Sequence, residues 1–295
     1  MSSNILILGG TRFVGRRVLN LLEQNNSLNV FVASRRDTGL KNFTQIDRKE
    51  YKDLIKIFSK QKFDVIVDFI NFSATDGEVL VSALKETKQE PRIISISTVY
   101  VYNDPDNLTD DKVYKEGDFN PFQSEPINFT EWNYTKGKQS MEVYLANNYS
   151  SAKSTILRFP VILGEDDYTK RTYFFEDVIK NNKQIALAKS GGKANYIFSQ
   201  EAAEAIYFFI TNYQPGIFNV SFEEALNEMS VMELYCEYYD KKLDDFLDNS
   251  LEEVHSPFFY ENDFITNAEK FRSINTFENF NSFKSCLFRE LKKME

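Results

Sequence analysis

Short, uninterrupted apolar runs alternate with longer stretches of helical period between Ile5 and Phe159, and this alternation limits the fold more than any other feature. The runs are Ile5–Leu8, Val30–Ala33, Phe43–Ile46, Val65–Phe69, Ile93–Ser97 and Thr155–Phe159. None shows the polar alternation of a half-exposed sheet, so each reads as a strand covered on both faces, as in a parallel sheet built from βαβ units. Between them, Val14–Gln24 places Val14, Val18, Leu21 and Leu22 on one helical face. Tyr51–Lys60 groups Leu54, Ile55 and Phe58, and Glu78–Thr87 groups Val79, Val81 and Leu84 less cleanly. After Ile162 strands become scarce, and from Ser221 onward Phe, Tyr, Asp and Glu dominate at mostly helical spacing. A second, smaller lobe is expected to begin near residue 165.

The first strand runs directly into Gly9-Gly10-Thr11-Arg12-Phe13-Val14-Gly15, and a helix follows at once. Strand, glycine turn and helix in that order form the context a dinucleotide-binding turn requires. Gly9 permits the tight turn, Gly15 lets helix and strand pack closely, and the helix N-terminus offers free N–H groups to a pyrophosphate. About 20 residues further on, such a unit places the group that meets the ribose 2′ position. Here that place holds Ser34-Arg35-Arg36, with no carboxylate. A guanidinium grips a phosphate in a charge-assisted pair, so the expected cofactor is NADP rather than NAD. Arg12, in the middle of the turn, is placed to approach the same phosphate.

Four segments then occur in a telling order: Gly9–Gly15, Ser97-Thr98 with Val101-Tyr102, Tyr134-Thr135-Lys136-Gly137-Lys138, and Leu157-Arg158-Phe159-Pro160 with Gly164. Together they resemble the short-chain dehydrogenase/reductase superfamily, in its extended or atypical branch of NAD-dependent epimerase/dehydratase-like proteins. The resemblance covers residues 4–220. It implies a doubly wound (Rossmann) α/β fold, a dinucleotide-binding domain over 1–165 rejoined by 195–220, and a substrate lobe from 166–194 and 221–295. It also implies an enzyme whose catalytic residues are Thr98, Tyr134 and Lys138. A hydride leaves a hydroxyl-bearing carbon only as the hydroxyl proton departs, so a phenol serves as the base. Free Tyr titrates near 10, a neighbouring ammonium favours its anion, and a spacing of four puts both side chains on one helix face. By resemblance Lys138 also holds the nicotinamide ribose, and Thr98 bonds the substrate oxygen. Asp47 and Arg48 contact the adenine, Asp68-Phe69-Ile70-Asn71 at the end of the fourth strand lines the cofactor groove mainly through backbone, and Phe159 and Val161 lie near the nicotinamide. Arg158 and Pro160 are expected to be structural.

One departure narrows the reaction. In sugar 4,6-dehydratases of this family an Asp and a Glu follow the Thr, and sugar-acid decarboxylases keep the Glu. This chain has Val99 and Tyr100 there, neither of which shuttles a proton in an elimination near neutral pH. The expected chemistry is reversible hydride transfer at a carbinol, by an epimerase or a reductase, on a nucleotide sugar or similar small molecule. The alternative is a non-catalytic cofactor sensor or scaffold, or an RNA-associated protein of the atypical branch.

Charge bears on that alternative. The chain carries 35 Lys and Arg against 44 Asp and Glu, a net charge of −9, which argues against a nucleic-acid surface. His255 is the only histidine, and Cys236 and Cys286 the only cysteines, so no metal site is expected. No apolar run is long enough for a membrane helix and no basic leader precedes Asn4, so a soluble cytoplasmic protein is expected, with a homodimer as the commonest assembly. Asn103–Trp132, with three prolines, reads as a long surface excursion. Lys170, Arg171, Lys193 and Arg272 are candidates for a substrate-phosphate clamp, Glu201 for bracing a helix, and Lys284–Glu295 for a final packed helix.

Overall fold

The computed structural model describes residues 2–36, 39–102, 112–188, 191–274, 280 and 282–295. In the first part of the chain β1 (Ser3–Leu8), α1 (Phe13–Glu23), β2 (Leu28–Ser34), β3 (Phe43–Gln45), α2 (Tyr51–Lys60), β4 (Val65–Asp68), α3 (Ala74–Glu86) and β5 (Arg92–Thr98) follow in turn. β6 (Val113–Tyr114), α4 (Tyr134–Asn148), β7 (Ser154–Phe159), β8 (Val161–Leu163), α5 (Tyr173–Lys180), β9 (Ala194–Phe198), α6 (Ser199–Thr211) and β10 (Gly216–Asn219) come next. The chain ends with β11 (Ala225–Leu226), α7 (Glu228–Tyr238), β12 (Ile265–Thr266), α8 (Glu269–Ile274) and α9 (Phe283–Met294).

Seven strands form one sheet in the order β10-β7-β5-β4-β1-β2-β3, and every pairing in it is parallel. All four residues of β4 and all six of β7 are buried, which is why these segments carry apolar runs without alternation. On one face Leu6, Leu8 and Ile66 meet Leu54, Ile57 and Phe58 of α2 and Leu80, Val81 and Leu84 of α3. Strand order reverses between β1 and β4, where the chain returns from β3 to pair on the other side of β1. Ligands of doubly wound sheets bind outside the carboxyl ends of the strands at such a reversal. The register sets Leu8 beside both Ala33 and Asp68, so Gly9, Ser34 and Phe69 emerge at that edge together.

The chain divides into two compact units: residues 1–105, 116–159 and 202–220, and residues 106–115, 160–201 and 221–295. Residues 160–165 and 195–201, expected in the first lobe, group with the second. The reason is pairing: β8 and β9 form a separate three-stranded sheet with β11, while only β10 adds to the large sheet. Within the second unit β6 pairs with β12, and Phe175, Tyr196, Tyr235, Phe258 and Phe283 fill a shared core. The aromatic richness of this region is therefore packing. Cys286, Leu287 and Leu291 of α9 are buried in it, and Arg289 makes a two-pronged ion pair with Glu201 at 2.7 and 3.0 Å. Most of the Asn103–Trp132 excursion is irregular where described; 103–111 lie outside the described residues.

Candidate active site

The glycine turn is built on backbone that side chains rarely tolerate. Gly9 and Gly10 have φ of 78° and 64°. A Cβ on Gly15 would stand 2.2 Å from the Gly10 Cα, so α1 approaches the turn as closely as backbone allows. Phe13 also has a positive φ, 48°, which strains a non-glycine residue by about 1–2 kcal/mol. Arg12 does not: at φ −139° and ψ 160° it is extended and caps the helix with backbone alone. No side chain caps α1 and its first turn holds no acid, so an anion is the natural complement of its N-terminal N–H groups. These features fit a dinucleotide pyrophosphate. Gly9 donates to the Ala33 carbonyl and Phe69 to that of Leu8, which locks the turn to both neighbouring strands.

At the end of β2, Ser34 is buried and its Oγ donates to the Arg36 carbonyl at 2.9 Å. The side chains of Arg35 and Arg36 are exposed, as is that of Arg12. None of the three guanidinium groups has a hydrogen bond or ion pair among the described residues.

Asp47 and Arg48, expected together at the adenine, part company. Asp47 caps its own turn, accepting from the Lys49 N–H at 3.0 Å. Arg48 turns inward: it is 4% exposed, donates to Asp68 at the end of β4, and stands 3.0 Å from Asp76 in the first turn of α3. Its assignment to the adenine is therefore corrected to a buried ion cluster. Burial pushes the Asp68 carboxyl up, against the opposing pull of Arg48.

Tyr134 and Lys138 stand one turn apart on α4, in very different surroundings. Tyr134 is the first residue of the helix, 45% exposed, just after Asn133, whose side chain accepts from the Lys136 N–H at 2.9 Å. Lys138 is 3% exposed. Its Nζ donates to the Asn71 carbonyl at 2.8 Å, the Asn71 Oδ1 at 3.2 Å and the Ile96 carbonyl at 2.8 Å. Burial pulls its pKa down to about 8, with Asp68, Glu142 and Asp76 opposing. Thr98, 5% exposed, closes β5, and its Oγ1 accepts from the Tyr100 N–H at 3.2 Å. Val99 is buried and Tyr100 half-buried in the short 3-10 turn that follows.

A third buried network fixes that turn. Arg158, fully buried in β7, holds Glu142 of α4 through Nε at 3.1 Å and Nη2 at 2.5 Å. Its Nη1 reaches Tyr102 Oη at 2.7 Å and its Nη2 the Phe119 carbonyl at 2.8 Å. Ser97 donates to the same carboxylate, and Tyr102 donates to Asn219. Arg158 is thus structural as expected by resemblance, while Glu142 went unnoticed in the sequence and Asn71 was expected only as part of a segment lining the cofactor groove, mainly through backbone. Glu142 carried a signal, lying four residues beyond Lys138; the Asn71 side chain carried none beyond its place three residues after β4. Phe159 is buried beside Thr98 in the sheet register, and Val161 opens β8 half-buried in the second unit.

Of the clamp candidates, Arg171 lies 3.4 Å from Asp167 and Arg272 3.7 Å from Glu223, each drawn to its own carboxylate. Lys170 and Lys193 are exposed. Among the described residues no cluster of His, Cys, Asp and Glu is arranged for a metal ion, and no helix is long and apolar enough to cross a membrane.

A seven-stranded parallel sheet with a glycine turn at its reversal defines the class, a doubly wound dinucleotide-binding α/β protein. Within that class the chain belongs to the NAD dependent epimerase/dehydratase family, whose model matches residues 5–221. Family membership makes it an enzyme of nicotinamide dinucleotide chemistry. Among solved structures it is similar to a dTDP-glucose 4,6-dehydratase from Bacillus anthracis in complex with NAD, at 14% identity and TM-score 0.74, covering 99% of this chain and 96% of that one. A Thermus thermophilus UDP-glucose 4-epimerase, also with NAD, aligns at 15% identity and TM-score 0.72 over 98% of both chains. A dTDP-4-dehydrorhamnose reductase from Yersinia enterocolitica aligns at 17% identity and TM-score 0.71 over 100% of both. These likenesses establish the fold. No curated protein matches the sequence.

Proposed function

We propose that this protein is an NADP(H)-linked epimerase or reductase acting at a carbinol or ketone of a nucleotide sugar or similar substrate. The observation that carries the reading is the Tyr134–Lys138 pair: an exposed phenol at the start of a helix and, four residues on, a cation held in the protein interior. Gly9, Gly10, Thr11, Arg12, Phe13, Val14 and Gly15 would hold the pyrophosphate, and Ser34, Arg35 and Arg36 the 2′-phosphate. When bound, the nicotinamide supplies the hydride acceptor or donor.

The chain's own residues manage the proton. Tyr134 Oη takes the carbinol proton during oxidation and returns it during reduction. The Lys138 ammonium favours the phenolate by its charge. Thr98 Oγ1 accepts from Tyr100, which leaves its own proton to donate to the substrate oxygen. Val99 and Tyr100 provide no acid or base for elimination, so the reading favours epimerisation or reduction over dehydration. The nucleotide-sugar substrates named for the similar structures support the substrate class. The two units reported above stand for the proposed cofactor and substrate lobes. Three unpartnered guanidinium groups favour NADP(H), although the similar dehydratase and epimerase were solved with NAD.

The test screens UDP- and dTDP-sugars for cofactor redox change or product interconversion. Tyr134→Phe is expected to cut turnover by about 10²–10⁴-fold while cofactor binding persists. Unchanged turnover would refute the assignment, and a titration showing tighter NAD(H) than NADP(H) would refute the cofactor preference. If no nucleotide sugar reacts while the cofactor still binds, the sensor or scaffold reading is favoured instead.

A further inference from the structure

The acid/base reading leaves one question open: what keeps a lysine charged where burial opposes it. An ammonium has three N–H donors and no acceptor. Around Lys138 Nζ stand three oxygens, the Asn71 carbonyl, Asn71 Oδ1 and the Ile96 carbonyl. Were the proton lost, the amine lone pair would face one of those oxygens, and an attraction would become a repulsion. The cradle therefore favours the cation, against the burial that lowers its pKa to about 8. Two of its three contacts come from one residue.

Asn71 is itself immobilised. It is 3% exposed, and its Nδ2 donates to Ser95 Oγ at 2.5 Å, which directs Oδ1 rather than Nδ2 toward Lys138. The segment around it is fastened at both ends by carboxylates. Asp68 Oδ1 accepts from the Ile70 N–H at 3.0 Å, and Asp76 Oδ2 from the Phe72 and Ser73 N–H groups at 2.7 and 3.0 Å. The Phe72 ring lies 4.8 Å from Nζ and completes the enclosure. The charged groups facing the ammonium are Asp68 at the end of β4, Asp76 of α3, Arg48 before α2, and Glu142 one turn further along α4.

We propose that Asn71 is a positioning residue of the active site, whose two oxygens hold the Lys138 ammonium one helical turn from Tyr134. This rests on the acid/base reading of Tyr134 and Lys138 given above. Asn71 touches no reacting atom; it acts through Lys138. An aliphatic residue of similar size would fill its space without supplying the side-chain oxygen, whereas Asp would keep that oxygen and add charge.

The experiment reads the ionisation of Tyr134 in the full chain, needing no substrate. Tyrosinate absorbance is titrated for each protein and for the same protein carrying Tyr134→Phe, and the difference isolates Tyr134. Asn71→Leu is expected to raise the Tyr134 midpoint by about one pH unit, the scale on which a nearby charge acts. Lys138→Met should raise it at least as far, and Asn71→Asp should leave it in place or lower it. A midpoint unmoved in Asn71→Leu but raised in Lys138→Met overturns the role of Asn71. Equal upward shifts in Asn71→Leu and Asn71→Asp overturn it too, since they indicate general disturbance. A midpoint unmoved in Lys138→Met overturns the acid/base reading itself, and the proposal with it. If Asn71→Leu does not fold, Ser95→Ala, which frees the amide to turn, is expected to raise the midpoint by a smaller step; no shift there overturns the proposal.

Discussion

Arg12, Arg35 and Arg36 stand in solvent without a partner among the described residues, whereas Lys138, in the same unit, is surrounded by three oxygens and an aromatic ring. An exposed guanidinium costs the fold almost nothing and stays available; its strength appears only when an anion arrives and water leaves. A buried cation must be matched before any ligand comes, because desolvation is charged against stability from the start. On the proposed reading, the protein keeps one kind of positive charge for binding and another for setting a proton's affinity. Sequence position does not separate them: Arg36 and Arg48 both follow strands of one sheet, and only one points inward.

The strongest way to sharpen this contrast is to break a buried cation that has no proposed chemical role. Arg158→Met leaves Glu142 as an uncompensated interior carboxylate, and the unfolding free energy is expected to fall by about 3–5 kcal/mol, read from denaturant midpoints. A loss below about 1 kcal/mol would mean that water or rearrangement supplies the match, and the contrast would collapse. Next comes the exposed set. Arg36→Ala is expected to leave stability within about 0.5 kcal/mol while weakening NADP(H) about tenfold and NAD(H) hardly at all. Equal weakening of both cofactors would assign Arg36 to the pyrophosphate or to no ligand.

A further effect concerns pH. Burial lowers Lys138 from 10.5 to about 8, so the unfolded chain binds the extra proton between those values. The cost of burying the charge is therefore present in full below pH 8 and is relieved as pH climbs toward 10.5. Lys138→Met should remove that rise from the pH–stability curve. A curve of unchanged slope over this window would show that Lys138 titrates as an ordinary surface lysine.

The large sheet was legible because strands buried on both faces carry apolar runs, as in Ile5–Leu8 of β1, Val65–Val67 of β4 and Ile156–Leu157 of β7. The glycine turn was legible because positive φ and close approach leave few alternatives to Gly9, Gly10 and Gly15. The second unit was not. Its strands β8, β9 and β11 are two to five residues long, too short for a period, and their pairing joins distant segments. Nor could the inward turn of Arg48 be read, since its partners Asp68 and Asp76 lie 20 or more residues away on other elements. The contact between Asn71 and Lys138 escaped for the same reason: the two lie 67 residues apart.

The extended backbone of Arg12 has one more consequence. Around it Gly9, Gly10 and Phe13 all occupy the left-handed region, and Gly15 has no room for a side chain. The turn is thus a rigid frame in which the exposed Arg12 side chain is free of those constraints. A mutation at residue 12 alters the charge presented at the mouth of the helix without re-forming the turn. If Arg12 meets the cofactor as proposed, a change of cofactor has a short, low-risk route at this codon, closed to every glycine beside it.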